Sequence, residues 1–493
     1  MAEGMKRLAK DTAVYGLSSI LGRFLNWLLV PMYTRVFTHT GEFGVFTNVY
    51  AWVALLLVLL TYGMETGFFR FVNKAEERHP LRVYSTALYS IGLTSLLFMA
   101  GGCLFLSPVS GALGYGDHQE YILMMLGVVA VDAFCCIPFA YLRYEGRAWR
   151  FAAIRLTGIL LNIVLNLFFL VVCPWLYRKM PEAVGWLYTP GYGVGYVFVA
   201  NVLTTFVTCL LLLPGMLPAF RYKPSFSLLK QMLRYSFPVL VLGIAGIFNQ
   251  TADKILFPFL FDDKAYANEQ LGIYGACFKI AVVMVMFVQA FRYAYEPFVF
   301  AKHKTTGGKE AYVEAMRYFI IFSLVIFTGV MFYLDVLKYF VSADYFPGLR
   351  VVPVVMLGEL FFGIYFNLSL WYKVSDQTHW GAYFSLSGCV ATVLIIVLFA
   401  PAYGYMACAW ASFACNLLMM LMSYFVGRKR YPIAYDLKSA GIYFSVAAVC
   451  YLAGMLPEID SVILRLLYRT VWFVLFLLFI IKRDISIHRI KYK

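Results

Sequence analysis

Long apolar runs broken by short polar connections set the pattern of this chain. There are about fourteen such runs of about twenty residues each, the length that a helix rising 1.5 Å per residue needs to cross a hydrocarbon core near 30 Å. The pattern predicts helices over residues 12–34, 43–63, 83–106, 121–142, 152–173, 193–214, 235–260, 270–297, 314–334, 351–372, 380–400, 404–426, 439–456 and 461–481. Asp11 and Thr12 stand where the first helix would take its cap. The connections are too short for a soluble catalytic domain of about 50 residues or more, so whatever this chain does is done within the bilayer.

The polar connections carry a second pattern, which the hydropathy does not impose. Alternate connections collect most of the 41 Lys and Arg residues. On one side stand Lys6, Arg7 and Lys10, then the groups at 70–82, 143–155, 221–234, 302–317 and 428–438 together with Lys373, and finally the tail from Lys482 to Lys493. The other side holds Arg35, Arg178, Lys179, Lys264, Lys338 and Arg350. Cytoplasmic connections hold the excess of Lys and Arg, so both termini are expected in the cytoplasm. A wrong span count would scramble this alternation.

Composition agrees with a membrane protein. Hydrophobic residues make up 62% and charged residues 14%, where a soluble domain carries about 25% charged, and mean hydropathy is +0.76. The formal charge of +15 does not mark a nucleic-acid binder, because the basic residues sit in short clusters between apolar runs rather than along one soluble face. The cysteines lie almost wholly inside the runs without CxxC spacing and read as small packing residues. Arg23 sits in the middle of the first run and no cleavage pattern follows it, so that run is a retained span rather than a signal peptide.

An internal echo divides the chain. Glu42-Phe43-Gly44-Val45-Phe46 opens the second span and Gln270-Leu271-Gly272-Ile273-Tyr274 opens the eighth. These are corresponding places in two six-span halves, a common transporter plan with the site between the repeats. The connection from Pro214 to Arg234 falls where the first half would end. The expected organisation is an N-terminal six-helix lobe at 1–228, a C-terminal six-helix lobe at 229–430, and two additional helices with a cytoplasmic tail at 431–493.

Charged residues inside spans are the informative ones, because each costs at least about 2.5 kcal/mol at mid-bilayer and needs a partner or an aqueous cavity. In the first span Gly16, Ser19, Arg23 and Asn26 share a face, and Pro31 can kink its far end. This stripe either lines a cavity that meets an anion or pairs its arginine for packing, and its depth favours the cavity. In the seventh span Gly246, Asn249 and Asp253 share a face with Gln250 and Lys254 beside it. Adjacent residues on a helix point apart, so Asp253 and Lys254 each call for a separate partner or water, with interfacial snorkelling as the alternative. Lys279 and Gln289 of the eighth span are expected to line the cavity.

Asp132, Asp253 and Glu359 are the candidates for coupling to a proton or sodium gradient, against a purely structural hydrogen bond. Arg292 with Glu296, and Glu65 with Arg70, read as structural pairs or interfacial anchors. Asn162 with Asn166 reads as glue between helices. No catalytic motif stands out, the acidic pair Asp262-Asp263 reads as a solvated loop, and neither enzyme activity nor a cofactor or bound metal is expected. The aromatic content of 18% concentrates near span ends, as interfacial belts do.

Residues Leu8-Ala9-Lys10-Asp11-Thr12, Tyr15-Gly16, Gly22-Arg23, Pro31-Met32-Tyr33-Thr34-Arg35 and Glu42-Phe43-Gly44 together resemble the start of the bacterial oligosaccharide flippase (polysaccharide export) family. That family is grouped with the lipid II flippases and the multidrug and toxic compound extruders. The resemblance implies an all-α integral membrane protein of about fourteen transmembrane helices, with two pseudo-symmetric six-helix lobes around a central cavity plus two C-terminal helices. Multidrug extruders typically have twelve spans. It implies that an undecaprenyl-pyrophosphate-linked oligosaccharide is moved across a bacterial inner membrane by alternating access, with polysaccharide polymerase and glycosyltransferases as partners besides membrane lipids. Arg23, Lys254 and Lys279 are then the cations deep enough to meet a pyrophosphate, with Ser19, Asn26, Asn249 and Gln289 as polar lining. The lipid II branch would place an acid beside the arginine of the first span, and Leu21-Gly22-Arg23-Phe24 has none. A proton- or sodium-coupled exporter of drugs or other small molecules and a lipid II flippase are the competing readings.

Overall fold

The computed structural model describes residues 20–73, 79–302, 308–375 and 377–491, and these contain helices and no strand. In chain order they form α1 (residues 20–27), α2 (Val30–Val36), α3 (Thr40–Thr61), α4 (Met64–Val72), α5 (Pro80–Leu104), α6 (Leu106–Leu113) and α7 (Gln119–Tyr144). Next come α8 (Ala148–Leu167), α9 (Cys173–Lys179), α10 (Pro181–Val184), α11 (Gly195–Phe220), α12 (Phe226–Leu256), α13 (Lys264–Lys302) and α14 (Gly308–Phe332). The last are α15 (Leu334–Leu337), α16 (Val351–Leu368), α17 (Leu370–Val374), α18 (His379–Tyr403), α19 (Tyr405–Arg430), α20 (Leu437–Met455) and α21 (Val462–Lys491).

Thirteen helical stretches among the described residues are long and apolar enough to cross a membrane. α1 and α2 occupy the place of the expected first span, whose opening residues lie outside the described range. The chain is an all-α, multi-pass membrane protein.

Two departures from unbroken helices have local causes. Pro31 stands at the start of α2 and has no N–H to give, so the ladder of α1 ends before it. The second span bends because Tyr62 and Gly63 both take left-handed backbone, φ 35° and 68°, before α4 resumes. Glycine bears such a φ without strain, and a Cβ there would lie 3.0 Å from the Ser236 carbonyl of α12. The bend therefore lets α12 run alongside both α3 and α4.

The chain packs as two compact units, residues 1–275 and 276–493. In the first, α5, α7 and α4 meet around Phe68, Tyr84 and Tyr141, the two tyrosine rings stacking at 4.2 Å. The connection before α12 is tied to α5, since the Ser85 hydroxyl donates to the Tyr222 carbonyl (2.6 Å) and the Ser225 N–H donates to Thr86 Oγ1 (3.1 Å). Glu65 forms its ion pair with Arg143 of α7, not with Arg70, whose guanidinium lies 4.0 Å from the Tyr235 ring centre. Packing between helices brought the distant arginine closer than sequence spacing could. Asn166 donates to the Asn162 carbonyl and to Asn162 Oδ1 at 2.8 and 3.1 Å, so this pair closes within α8 instead of linking two helices.

In the second unit α16 is the most enclosed span and lies against α19, which also holds α18. A Cβ on Gly358 would meet the Phe413 backbone at 3.1 Å, so glycine is what permits this close crossing. The last two helices attach to α14. Asp335, just past α14, accepts from Arg465 Nε at 2.7 Å and from Arg469 Nη1 at 2.8 Å, both on α21. Arg317, near the other end of α14, pairs with Asp484 of α21 at 3.3 Å. Arg292 packs over the Phe366 ring at 4.7 Å, while the Glu296 side chain lies outside the described residues.

Candidate functional site

The two segments of the echo meet in the first unit. A Cβ on Gly44 would lie 1.9 Å from the Asn268 carbonyl oxygen, one on Gly272 would lie 1.9 Å from that of Thr40, and one on Gly275 would lie 2.3 Å from Thr47 Oγ1. No side chain fits at these points, so the starts of α3 and α13 touch backbone to backbone, as small residues allow between helices in a membrane. Glu42, beside this contact, accepts from the Thr38 and Val194 N–H groups at 3.0 Å each and holds the neighbouring connections in place.

A polar cluster continues from the glycine contact. Asp253 of α12 is buried and accepts from the Tyr274 hydroxyl of α13 at 2.6 Å. Lys254 Nζ lies 2.9 Å from both Asp253 carboxylate oxygens and 3.2 Å from the Gln250 carbonyl. This corrects the expectation of separate partners. The backbone directions of adjacent residues do diverge, but the four-carbon lysine stem folds back far enough to reach its neighbour. Asn48 of α3 donates to the Lys254 carbonyl at 2.7 Å and accepts from the Tyr115 hydroxyl at 3.0 Å. Burial pushes the Tyr115 phenol above its ordinary pKa, which keeps it a hydrogen-bond donor.

The other expected residues are distributed as follows. Asn249 is half-buried one turn before Asp253. Arg23 and Asn26 are exposed on α1, and a Cβ on Gly22 beside them would come 2.5 Å from Ile159 Cδ1 of α8. Ser19 lies outside the described residues. Asp132 of α7 faces Arg155 of α8 and the Thr205 hydroxyl of α11, and nearby Asn201 donates to the Tyr50 hydroxyl. Lys279, Gln289 and Glu359 belong to the second unit and are half-buried there.

Within the first unit, therefore, Asp253 and Lys254 come together, while Asp132 stands in a separate cluster. Sequence reading missed Tyr274, Asn48 and Arg155 as members of these clusters. Tyr274 lies inside the echo, which was the available signal for it. Arg155 was counted with a cytoplasmic connection.

A model of the family described as "Polysaccharide biosynthesis protein" matches residues 8–298. No curated protein matches the chain. Among solved structures, the lipid II flippase MurJ in an inward closed conformation is similar over 95% of this chain and 99% of its own, at 14% identity and a TM-score of 0.72. An inward-facing multidrug resistance transporter of the MATE family and MOP superfamily is similar over 82% of this chain and 94% of its own, at 15% identity and TM-score 0.64. A further MATE multidrug transporter, solved as a complex, covers 86% and 96%, at 16% identity and TM-score 0.60. At these identities the likeness is one of fold.

Proposed function

From the premise that this chain belongs to the polysaccharide biosynthesis protein family, we propose that it is a flippase for an undecaprenyl-pyrophosphate-linked oligosaccharide. It carries this cargo from the cytoplasmic to the outer leaflet of a bacterial inner membrane by alternating access, for cell-surface polysaccharide. The observation that carries the reading is an arginine, Arg23, exposed on α1, which stands where the sequence pattern expects the first span of a chain from this family. A pyrophosphate leaving water needs a cationic site of this kind. In this reading the chain has two six-helix lobes, 1–228 and 229–430, with α20 and α21 as an added pair. The exporter reading is less well supported: the family that matches this chain is one of polysaccharide biosynthesis, while the drug transporters share its fold.

Arg23→Ala and Lys279→Ala are each expected to stop surface glycan export while lipid-linked intermediates build up in the inner leaflet and membrane levels of the protein hold. Normal export in both variants would remove these residues from the site. Orientation has its own test. Single cysteines at Gly116 and Gly308 are expected to react with an impermeant thiol reagent from opposite faces of the membrane, and labelling of both from outside would overturn the topology.

A further inference from the structure

α8 has a lipid-type face and an inward face. Trp149, Ala153, Leu160, Val164 and Leu167 recur at helical spacing and are all exposed. Arg155 lies on the opposite side, four residues after buried Phe151 and three before buried Gly158, where a Cβ would meet Thr208 Oγ1 of α11 at 2.9 Å. A side chain on this inner stripe should be enclosed, yet Arg155 is exposed. Protein atoms nonetheless crowd its guanidinium. Crowded by the bundle but accessible, it points away from the lipid-type face of α8.

Its environment is half of a binding site. The guanidinium lies 4.0 Å from the Phe139 ring centre and 5.8 Å from that of Phe151, while no hydrogen bond or ion pair among the described residues occupies its donors. Asp132 is the opposite charge acting on it most strongly, Arg143 opposes it, and Glu65 contributes less. Stacking on an aromatic face fixes the plane of a guanidinium while leaving its edge free for a bidentate anion. One turn further along α8, Ile159 lies against Gly22, the neighbour of Arg23, so both arginines border the seam between α1 and α8.

Resting on the flippase reading, we infer that Arg155 is a second pyrophosphate-binding residue, held in plane by Phe139 and working with Arg23 along α8. Asp132 is a positioning residue, which keeps the guanidinium on the inner stripe without blocking its outer edge.

The test uses the full-length protein in lipid nanodiscs with two probes, undecaprenyl pyrophosphate and undecaprenol, which has the same chain and no phosphate. Arg155→Gln is expected to weaken pyrophosphate binding by about tenfold or more and to leave undecaprenol binding unchanged. Arg155→Lys, which keeps the charge but loses the stacked plane, should fall between. Pyrophosphate binding at wild-type strength in Arg155→Gln would overturn the role of Arg155 alone. Equal loss of both lipids would mark a structural arginine and overturn it as well. A wild-type protein that does not prefer the pyrophosphate over undecaprenol would instead bring down the cargo reading, and this inference with it.

Discussion

Gly272→Val is expected to abolish glycan export and to keep the starts of α3 and α13 apart. The first atom of any side chain at this position would stand 1.9 Å from the Thr40 carbonyl oxygen, and the obstacle is backbone, not a side chain that could turn away. Overpacking of a tight interface costs about 1–3 kcal/mol, and here it falls wholly on the arrangement in which the two segments touch. An arrangement in which they are separated bears none of that cost, so the substitution shifts the population toward it. Disulfide formation between cysteines placed at Gly41 and Asn268, where a Cβ on Gly41 would lie 4.0 Å from that of Asn268, in a chain freed of its other cysteines, reads the contact directly. Crosslinking should be efficient in the parent and lost with Gly272→Val. Retained crosslinking together with normal export would mean that the contact is not needed. Gly44→Val, against the Asn268 carbonyl, should behave in the same way.

Asp253→Ala should be the most destabilising single change in the polar cluster. The Asp253 side chain is 5% exposed and that of Lys254 14%. Removing the carboxylate takes from a nearly enclosed ammonium the counter-charge 2.9 Å away and from the Tyr274 hydroxyl the acceptor at 2.6 Å, and breaking one side of such a pair costs about 3–5 kcal/mol. Asp253→Asn keeps an acceptor for Tyr274 and should cost less. The double change Asp253→Asn with Lys254→Met removes both charges and should recover most of the thermal stability. Export then separates two roles. A refolded double variant that still exports marks the pair as structural, whereas one that is stable but inactive places the pair in the transport cycle.

These residues also show how far the sequence could be read. The spans were legible because their length is set by bilayer thickness, and thirteen stretches of the described residues stand close to the fourteen expected. Partner choice was legible only where it is local. Glu65 has Arg70 close to it in sequence, yet the bend at Tyr62 and Gly63 and the packing of α4 against α7 give it Arg143. Lys254 was assigned by the direction of its backbone, while its long side chain decided the outcome. Arg155 was hidden by the charge count itself: near the start of a span it looks like a member of the cytoplasmic belt, and only the burial of Phe151 and Gly158 on the same stripe shows that it turns inward. The echo was the most informative short signal, since its two glycines proved to be where the segments touch.

The ion pairs of the last helix bear on how the protein is made. Arg465 and Arg469 stand one turn apart on α21, and the carboxylate that pairs with both, Asp335, was synthesised before α16, α18, α19 and α20. The final hairpin thus reaches the insertion machinery carrying two charges whose counter-ion already waits in the membrane. Its release into lipid becomes a docking step onto helices already inserted, and a nascent chain with Asp335→Asn should stall at that step, exposed to quality-control proteolysis.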